Sequence, residues 1–362
     1  MSYIVAIETA VPKYKHKQED FTDFFSNATD NATYKRKIKI ISKKTGISTR
    51  YSVLKDYSLS PNKFEFYKKD KTLLPEPSLS KRMEVYQKEA ILLSVNAVKK
   101  IKRFEKTKKS ITHLITVTCT GLFAPGLDIE LIRHLDLSPS INRSSINFMG
   151  CNAAILALKN ADTICKSNPD ANVLIVCTEL CTLHFQKKYN DDYLLSNMLF
   201  GDGCAAVLIG AKPNEITENT TIKIDSFNSL ILHNGYNDMA WQLSETGFIM
   251  NLTSYVSTLI KENIQAMLDS LNINSKTINY WAIHPGGKKI VTDFFDVLKI
   301  DADKASESYD VLKNYGNMSS PTVLFVLKQV IEKNKLHKKR ETIFSAAFGP
   351  GLSIETMQAS YA

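Results

Sequence analysis

The chain has 362 residues, 44% of them hydrophobic and 23% charged, with a net charge of +9. That length and apolar content suit a large core or two fused domains and exclude a disordered chain. No apolar run approaches the ~20 residues that cross a bilayer, so no membrane span is expected and the cytoplasm is the expected compartment.

The start, MSYIVAIETAVPKYKHK, has a short apolar stretch with no basic region before it. It reads as a first strand, Tyr3–Thr9, rather than a signal peptide. Lysines cluster in Lys35–Lys44. The stretch Asp56–Ser80 is polar, holds three prolines and reads as an exposed excursion. A helix follows at Lys81–Arg103, with more lysines in Lys99–Lys109, and then a strand at His113–Thr118. After these come helix Asp128–Leu135, strand Ser144–Asn147, helix Ala153–Ser167 and strands Asn172–Thr178, Ala205–Gly210 and Ile222–Leu232. The last third reads as helix Tyr255–Ser270, strand Tyr280–His284, and helices Lys288–Leu298 and Ser319–Lys333. A third basic cluster, Lys333–Arg340, precedes strands Thr342–Phe348 and Ser353–Thr356. Such alternation argues for a layered α/β fold.

The basic clusters admit nucleic-acid binding. No zinc finger, RNP-like aromatic motif or clear helix-turn-helix accompanies them, so solvated helix faces are the plainer reading. One cluster could instead attract a polyanionic small molecule. The six cysteines, Cys119, Cys151, Cys165, Cys177, Cys181 and Cys204, form no CxxC pair and no metal-ligand pattern. Free, mostly buried thiols are expected, and no metal.

The chain also repeats itself. Strand His113–Thr118 runs into CTG, and the strand from Tyr280 runs into HPGG. GCNAAILAL in the first half corresponds to GNMSSPTVLFVL in the second. FGDGCAAVLIG, Phe200–Gly210, corresponds to FGPGLSIET, Phe348–Thr356. Two similar halves, 1–212 and 213–362, suggest pseudo-twofold symmetry. Their join is expected near Gly210–Asn219, where Lys212-Pro213-Asn214 marks a turn. Loops at corresponding places can then face one site.

Three residues in those loops suit acyl transfer. Cys151 follows a Met149-Gly150 turn and opens a helix, where free N–H groups favour a thiolate. Asn152-Ala153-Ala154 leave room for an acyl chain. His284 ends a strand before the side-chain-poor turn Pro285-Gly286-Gly287. Asn317 sits in the turn YGNMSSP before the helix that corresponds to the Cys151 helix. Taken singly, a buried structural cysteine, a satisfied core histidine and a turn asparagine are the ordinary readings. Together, at corresponding places in a duplicated frame, they provide a nucleophile to hold a thioester. They also provide two neutral N–H donors to stabilise an enolate. A nearby imidazole would lower the thiol pKa by ion pairing.

The stretches NFMGCNAA, LFGDGCAAVLIG, WAIHPGGKKI, NYGNMSSPTVLFVL and AFGPGLSIET resemble the signatures of chalcone-synthase-like type III polyketide synthases, in the same order over almost the whole chain. The resemblance implies a thiolase-like duplicated five-layer αβαβα fold with mixed sheets, and a homodimer. It implies a catalytic triad of Cys151, His284 and Asn317, and an entrance phenylalanine at Phe200. It also implies a reaction without cofactor: an acyl-CoA starter loads on Cys151, malonyl-CoA is decarboxylated, and the chain is extended and cyclised to a pyrone, resorcinol or phloroglucinol-type product. An acyl carrier protein is a further candidate donor of the starter.

Of the family's basic residues for coenzyme A, Lys37 and Lys44 match two and Ile40 stands at a third; Arg50 in the same segment reads as structural. The cavity departs from the plant pattern at Met250, Trp241, His184 and Cys119. Ser319, Gly349, Pro350 and Gly351 complete the implied substrate-binding set. The missing long N-terminal helix suggests a microbial type, and family habit favours a fatty acyl starter. The nearest rival is a fatty-acid-initiating 3-oxoacyl-[acyl-carrier-protein] synthase, which shares the fold and triad types and for which TGISTRY is compatible. HPGG and FGPGL favour the polyketide synthase. A non-catalytic basic binding protein on the same scaffold is the rival from another class.

Overall fold

A computed structural model describes residues 1–213, 221–253, 255–270, 273–333 and 340–362. Much of the expected join between the halves, and positions 334–339 of the third basic cluster, lie outside the described residues.

The strands are β1 (Ser2–Ala10), β2 (Tyr14–Lys17), β3 (Thr49–Ser52), β4 (His113–Thr118), β5 (Asn142–Asn147), β6 (Asn172–Leu180) and β7 (Asp202–Gly210). They continue with β8 (Ile222–Ile231), β9 (Met239–Ser244), β10 (Gly247–Leu252), β11 (Tyr280–Ile283), β12 (Thr342–Gly349) and β13 (Ser353–Tyr361). The helices are α1 (Gln18–Asn27), α2 (Ala32–Lys44), α3 (Leu79–Lys99), α4 (Phe104–Thr107), α5 (Leu127–Leu135) and α6 (Ala153–Ser167). After them come α7 (Asp191–Leu199), α8 (Val256–Ser270), α9 (Lys288–Leu298), α10 (Ser306–Tyr315) and α11 (Thr322–Lys333).

The main sheet has nine strands in the order β11-β12-β13-β8-β1-β7-β6-β4-β5. Its two sides mirror each other about the β8–β1 contact. Moving outward, β1–β7, β7–β6 and β6–β4 pair antiparallel, antiparallel and parallel. On the other side β8–β13, β13–β12 and β12–β11 pair in the same sequence of senses. The first side adds β5, parallel to β4 and open at the edge. The repeat seen in the sequence is therefore a repeat of topology, with β4 matching β11, α6 matching α11 and β7 matching β13.

Alternation along the strands builds five layers, because successive side chains face opposite sides. In β6, Val173, Ile175 and Cys177 join a central core with the apolar faces of α6 and α11, while Leu174 and Val176 join an outer core beneath α3. In β12 and β11, Phe344 and Ile283 face a second outer core made with α8 and α9. The core strands β4, β6 and β7 are nearly continuous apolar runs, as expected of strands covered on both faces.

Asp56–Ser80 is not an exposed excursion. Tyr57, Phe64, Phe66, Tyr67 and Leu73 are buried in the outer core of the first half. Asp56 is buried too, and its carboxylate accepts from the backbone N–H groups of Glu65, Phe66 and Tyr67. One side chain thus supplies the partners that regular structure does not, which lets irregular backbone be buried.

Candidate active site

Cys151 lies just before α6, after a turn in which Phe148 and Gly150 both have positive φ. A Cβ at Gly150 would fall 2.1 Å from Pro350 Cδ, so only glycine lets the two halves meet there. Asn317 lies between α10 and α11, flanked by Gly316 and Ser319, also at positive φ. Its Oδ1 accepts from Ser319 N–H at 2.8 Å. Cys151 Sγ lies 3.9 Å from both Oδ1 and Nδ2 of the Asn317 amide, and Nδ2 donates to Gly286 O at 3.4 Å. Asn317 is thus both the turn asparagine of the ordinary reading and a neighbour of the thiol.

His284 ends β11 and is fully buried. Among the described residues neither ring nitrogen has a hydrogen-bond partner. A buried imidazole left unpaired is costly, and such orphans call for a functional reason. Its backbone is fixed by His284 N–H to Ala346 O at 2.8 Å, and its carbonyl accepts from Gly286 N–H at 2.9 Å. Gly286 therefore links His284 to Asn317.

Burial pushes the Cys151 thiol up to about 12, partly offset by hydrogen bonds from Ser319 and Asn317. Burial also pushes His284 down to about 3. Burial thus works against both the thiolate and the imidazolium expected from the sequence, because desolvation opposes either charge. A neutral imidazole still donates from one nitrogen.

Cys151 shares a cavity of about 20 Å³ with Cys119, Met239, Trp241, Met250, Ser319 and Pro350, among others. Phe200 and His184 line an adjoining cavity of about 40 Å³ that shares Cys181, Trp241 and Met250. The indole donates Nε1–H to Cys119 O at 2.9 Å and makes edge contacts with Phe248 and His184. His184 is a satisfied core histidine: Nε2–H donates to Thr120 O at 2.8 Å, Nδ1 accepts from Phe248 N–H at 3.0 Å, and the ring stacks on Phe248. Gly349 and Gly351 do not line either cavity. They carry the turn of Pro350, with Gly351 N–H donating to Met239 O at 3.0 Å. Ala153 and Ala154 also fail to line the cavity, because they pack into the central core as helix residues.

Glu179, which the sequence reading missed, lies fully buried beside this cavity. It accepts from Cys119 N–H at 2.9 Å, Thr120 Oγ at 2.7 Å and Ser320 Oγ at 2.6 Å. Burial nevertheless raises its carboxyl to about 7. A glutamate inside the apolar run NVLIVCTEL was the available signal.

On the outside, a cleft of about 870 Å³ runs from Lys37, Ile40 and Lys44 on α2 across Leu199 to Gly286, Lys288 and Lys289. Lys37 pairs with Asp191, and Lys289 with Asp293 at 2.6 Å. Lys288, at the start of α9 after the HPGG turn, was not singled out from sequence. Leu199 and Gly286 link the cleft to Asn317, since Leu199 O accepts from Asn317 N–H and Gly286 O from its amide.

Residues 1–213 match the chalcone and stilbene synthase N-terminal domain, and residues 223–360 match the C-terminal domain of the same family. The alpha-pyrone synthesis polyketide synthase-like Pks18 of Mycobacterium tuberculosis is 31% identical over 99% of this chain and 90% of its own length. Probable polyketide synthase 1 of Dictyostelium discoideum is 31% identical over 98% of this chain, which spans only 11% of that much longer protein. Among solved structures, PKS-I of the brown alga Ectocarpus siliculosus superposes with a TM-score of 0.91 at 25% identity, covering 100% of this chain and 98% of that one. The C-terminal type III polyketide synthase domain of Steely1, a type I/III hybrid from Dictyostelium, superposes at 0.88 with 29% identity and 99% of each chain covered.

Proposed function

The chain belongs to the chalcone and stilbene synthase family and is a type III polyketide synthase, a condensing acyltransferase; from that premise we propose which residues act and what it makes. Nothing in the comparisons favours the carrier-protein-dependent initiating synthase.

The observation that carries the assignment is the fully buried His284, its two nitrogens unpartnered among the described residues, joined through Gly286 to Asn317, whose amide faces the Cys151 thiol. Cys151 attacks the starter thioester after giving its proton to His284. Because burial opposes both charges, that transfer belongs to substrate binding rather than to a standing ion pair. Acyl transfer leaves the starter on Sγ and expels coenzyme A, whose thiolate takes the proton back from His284. Malonyl-CoA then loses carbon dioxide, and the enolate oxygen is held by N–H donors from His284 and Asn317 Nδ2. The enolate carbon attacks the Cys151 thioester, the C–S bond breaks to release the Cys151 thiolate, and the lengthened chain is carried on the extender's coenzyme A. No step calls on a metal or redox cofactor.

The outer cleft suits the coenzyme A moiety, with phosphates met by Lys37, Lys44 and Lys288. In place of the basic residue expected at position 40, Lys288 supplies a cation from the facing wall. Trp241 and Met250 leave a cavity far below the ~300–1,000 Å³ of ordinary ligand pockets. Trp241 therefore shapes the space beside Cys151, and an α-pyrone is the product proposed. The relative named for alpha-pyrone synthesis points the same way.

A homodimer is supported by the open edge of β5, exposed along most of its length, and by Met149 and Leu122, exposed beside the site. No helix among the described residues is long and apolar enough to cross a membrane, and the cytoplasm is the proposed compartment.

The test is incubation with malonyl-CoA and a panel of acyl-CoA and acyl-carrier-protein starters, read by mass spectrometry of products and intact protein. The expected result is an acyl adduct on Cys151 and a pyrone product, both absent from Cys151→Ala. Adducts only from carrier-protein thioesters, or products unaffected by that substitution, would overturn the reading.

A further inference from the structure

The C-terminus of α7 carries Phe200, and a helix end leaves its last carbonyls without intrahelical partners. Here four consecutive carbonyls are all satisfied by residues distant in sequence. Asn197 O accepts from Arg50 Nη1 at 2.9 Å and Met198 O from Gln18 Nε2 at 2.8 Å. Leu199 O accepts from Asn317 N–H at 3.0 Å and Phe200 O from Arg50 Nη1 at 2.5 Å. Asn317 O then accepts from Gly201 N–H at 2.9 Å, so residue 317 is strapped to both sides of Phe200.

Arg50 is the hub of this arrangement. It is fully buried on β3, its Nε donates to Gln18 Oε1 at 2.9 Å, and its guanidinium lies 3.5 Å from the centre of the Phe21 ring. A Cβ at Gly316 would sit 2.9 Å from Arg50 Cδ and 2.8 Å from Leu199 O, so the glycine before Asn317 clears the path for the side chain. Among the described residues Arg50 has no salt-bridge partner. Burying a cation that way is costly, and the carbonyls at the negative end of the helix dipole, together with the nearby Asp202 carboxyl, offset part of that cost, while Nη2 has no partner among the described residues. A side chain kept only for packing would not need this charge.

We infer that Arg50, seated by Gln18 and Phe21, is the positioning residue that holds Phe200 and Asn317 as one unit, so that one buried guanidinium sets both the entrance and an enolate donor. Cys151 is held by separate contacts, through Gly150 N–H to Cys119 Sγ at 3.1 Å and Asn152 Nδ2 to Ser353 Oγ at 2.8 Å. Asn317 also meets the Cys151 thiol, but only at the long distance of 3.9 Å, so Arg50 acts strongly on the enolate donor and weakly on the thiol. The inference rests on the condensing reading above.

The experiment compares the parent, Arg50→Lys and Gln18→Ala in two assays: acetyl-CoA formation from malonyl-CoA alone, and alkylation of Cys151 by iodoacetamide. Lysine keeps the charge but cannot serve two carbonyls and Gln18 at once. Arg50→Lys is expected to lower kcat for decarboxylation about 10- to 100-fold, as an ångström-scale displacement of a donor does, with KM little changed. Gln18→Ala should move in the same direction by less. Alkylation should change by less than about threefold in both, since the nucleophile is intact. Parent-like decarboxylation in both variants, or decarboxylation and alkylation falling in the same proportion, would overturn the inference alone. A parent that forms no acetyl-CoA would overturn the condensing reading and this inference with it.

Discussion

Replacing Glu179 by glutamine should flatten the pH dependence of stability. The parent carboxyl titrates at about 7 in the folded state, against 4.5 as its ordinary value. A carboxyl raised on folding favours the protonated native state, so its contribution is present below the unfolded pKa and is lost as pH rises through the folded one. The gap of about 2.5 pK units corresponds to about 3 kcal/mol at high pH, of which about 2 kcal/mol is lost between about pH 5.5 and about pH 8.5. Asp202, raised to about 6 by burial, acts in the same direction. The diagnostic quantity is therefore the difference between parent and Glu179→Gln, measured from urea midpoints and slopes at the two pH values. The parent should lose about 2 kcal/mol more than the variant over that window. A second readout comes from the thiol. The Glu179 charge helps to raise Cys151, so alkylation of Cys151 in the variant should set in at lower pH. Equal pH slopes for the two proteins would refute the reasoning, since a carboxylate ionising in that site cannot be without energetic consequence.

Asn317→Ala should lower malonyl-CoA decarboxylation by about 10²–10³, as loss of one oxyanion donor does, while a single acyl group still loads on Cys151 from acyl-CoA. Lys288→Ala should raise KM for malonyl-CoA several-fold with kcat unchanged, the signature of lost uniform binding; Ile40→Lys should lower KM in the same assay. Trp241→Ala joins the two small cavities, leaves Cys119 O without its donor, and should destabilise by about 2–4 kcal/mol. In the starter panel it should admit longer acyl groups, and an unchanged starter range would show that the indole does not limit the cavity.

The amino-acid sequence by itself determined the repeat, and through it the fold. The strand–turn–helix units around GCNAAILAL and GNMSSPTVLFVL are local patterns of apolar period and glycine turns, and such patterns are legible in one dimension. The same patterns singled out Cys151, His284 and Asn317, because each stands at a turn that opens or closes a core element. What the sequence did not reveal depends on contacts between residues far apart. Asp56–Ser80 looked exposed because its polar residues and prolines hide one aspartate that satisfies buried backbone. Burial works against the charged forms expected of Cys151 and His284, and this was not legible because helix-end effects are local whereas desolvation depends on everything packed around each group. Glu179, Lys288 and Arg50 read as an interior polar residue, one lysine among many and a structural arginine. Only the tertiary structure sets the first beside the catalytic cavity and the second on the outer cleft, and brings the third to the helix end that carries Phe200, because hydrogen-bond partners and clefts are made by packing rather than by spacing along the chain.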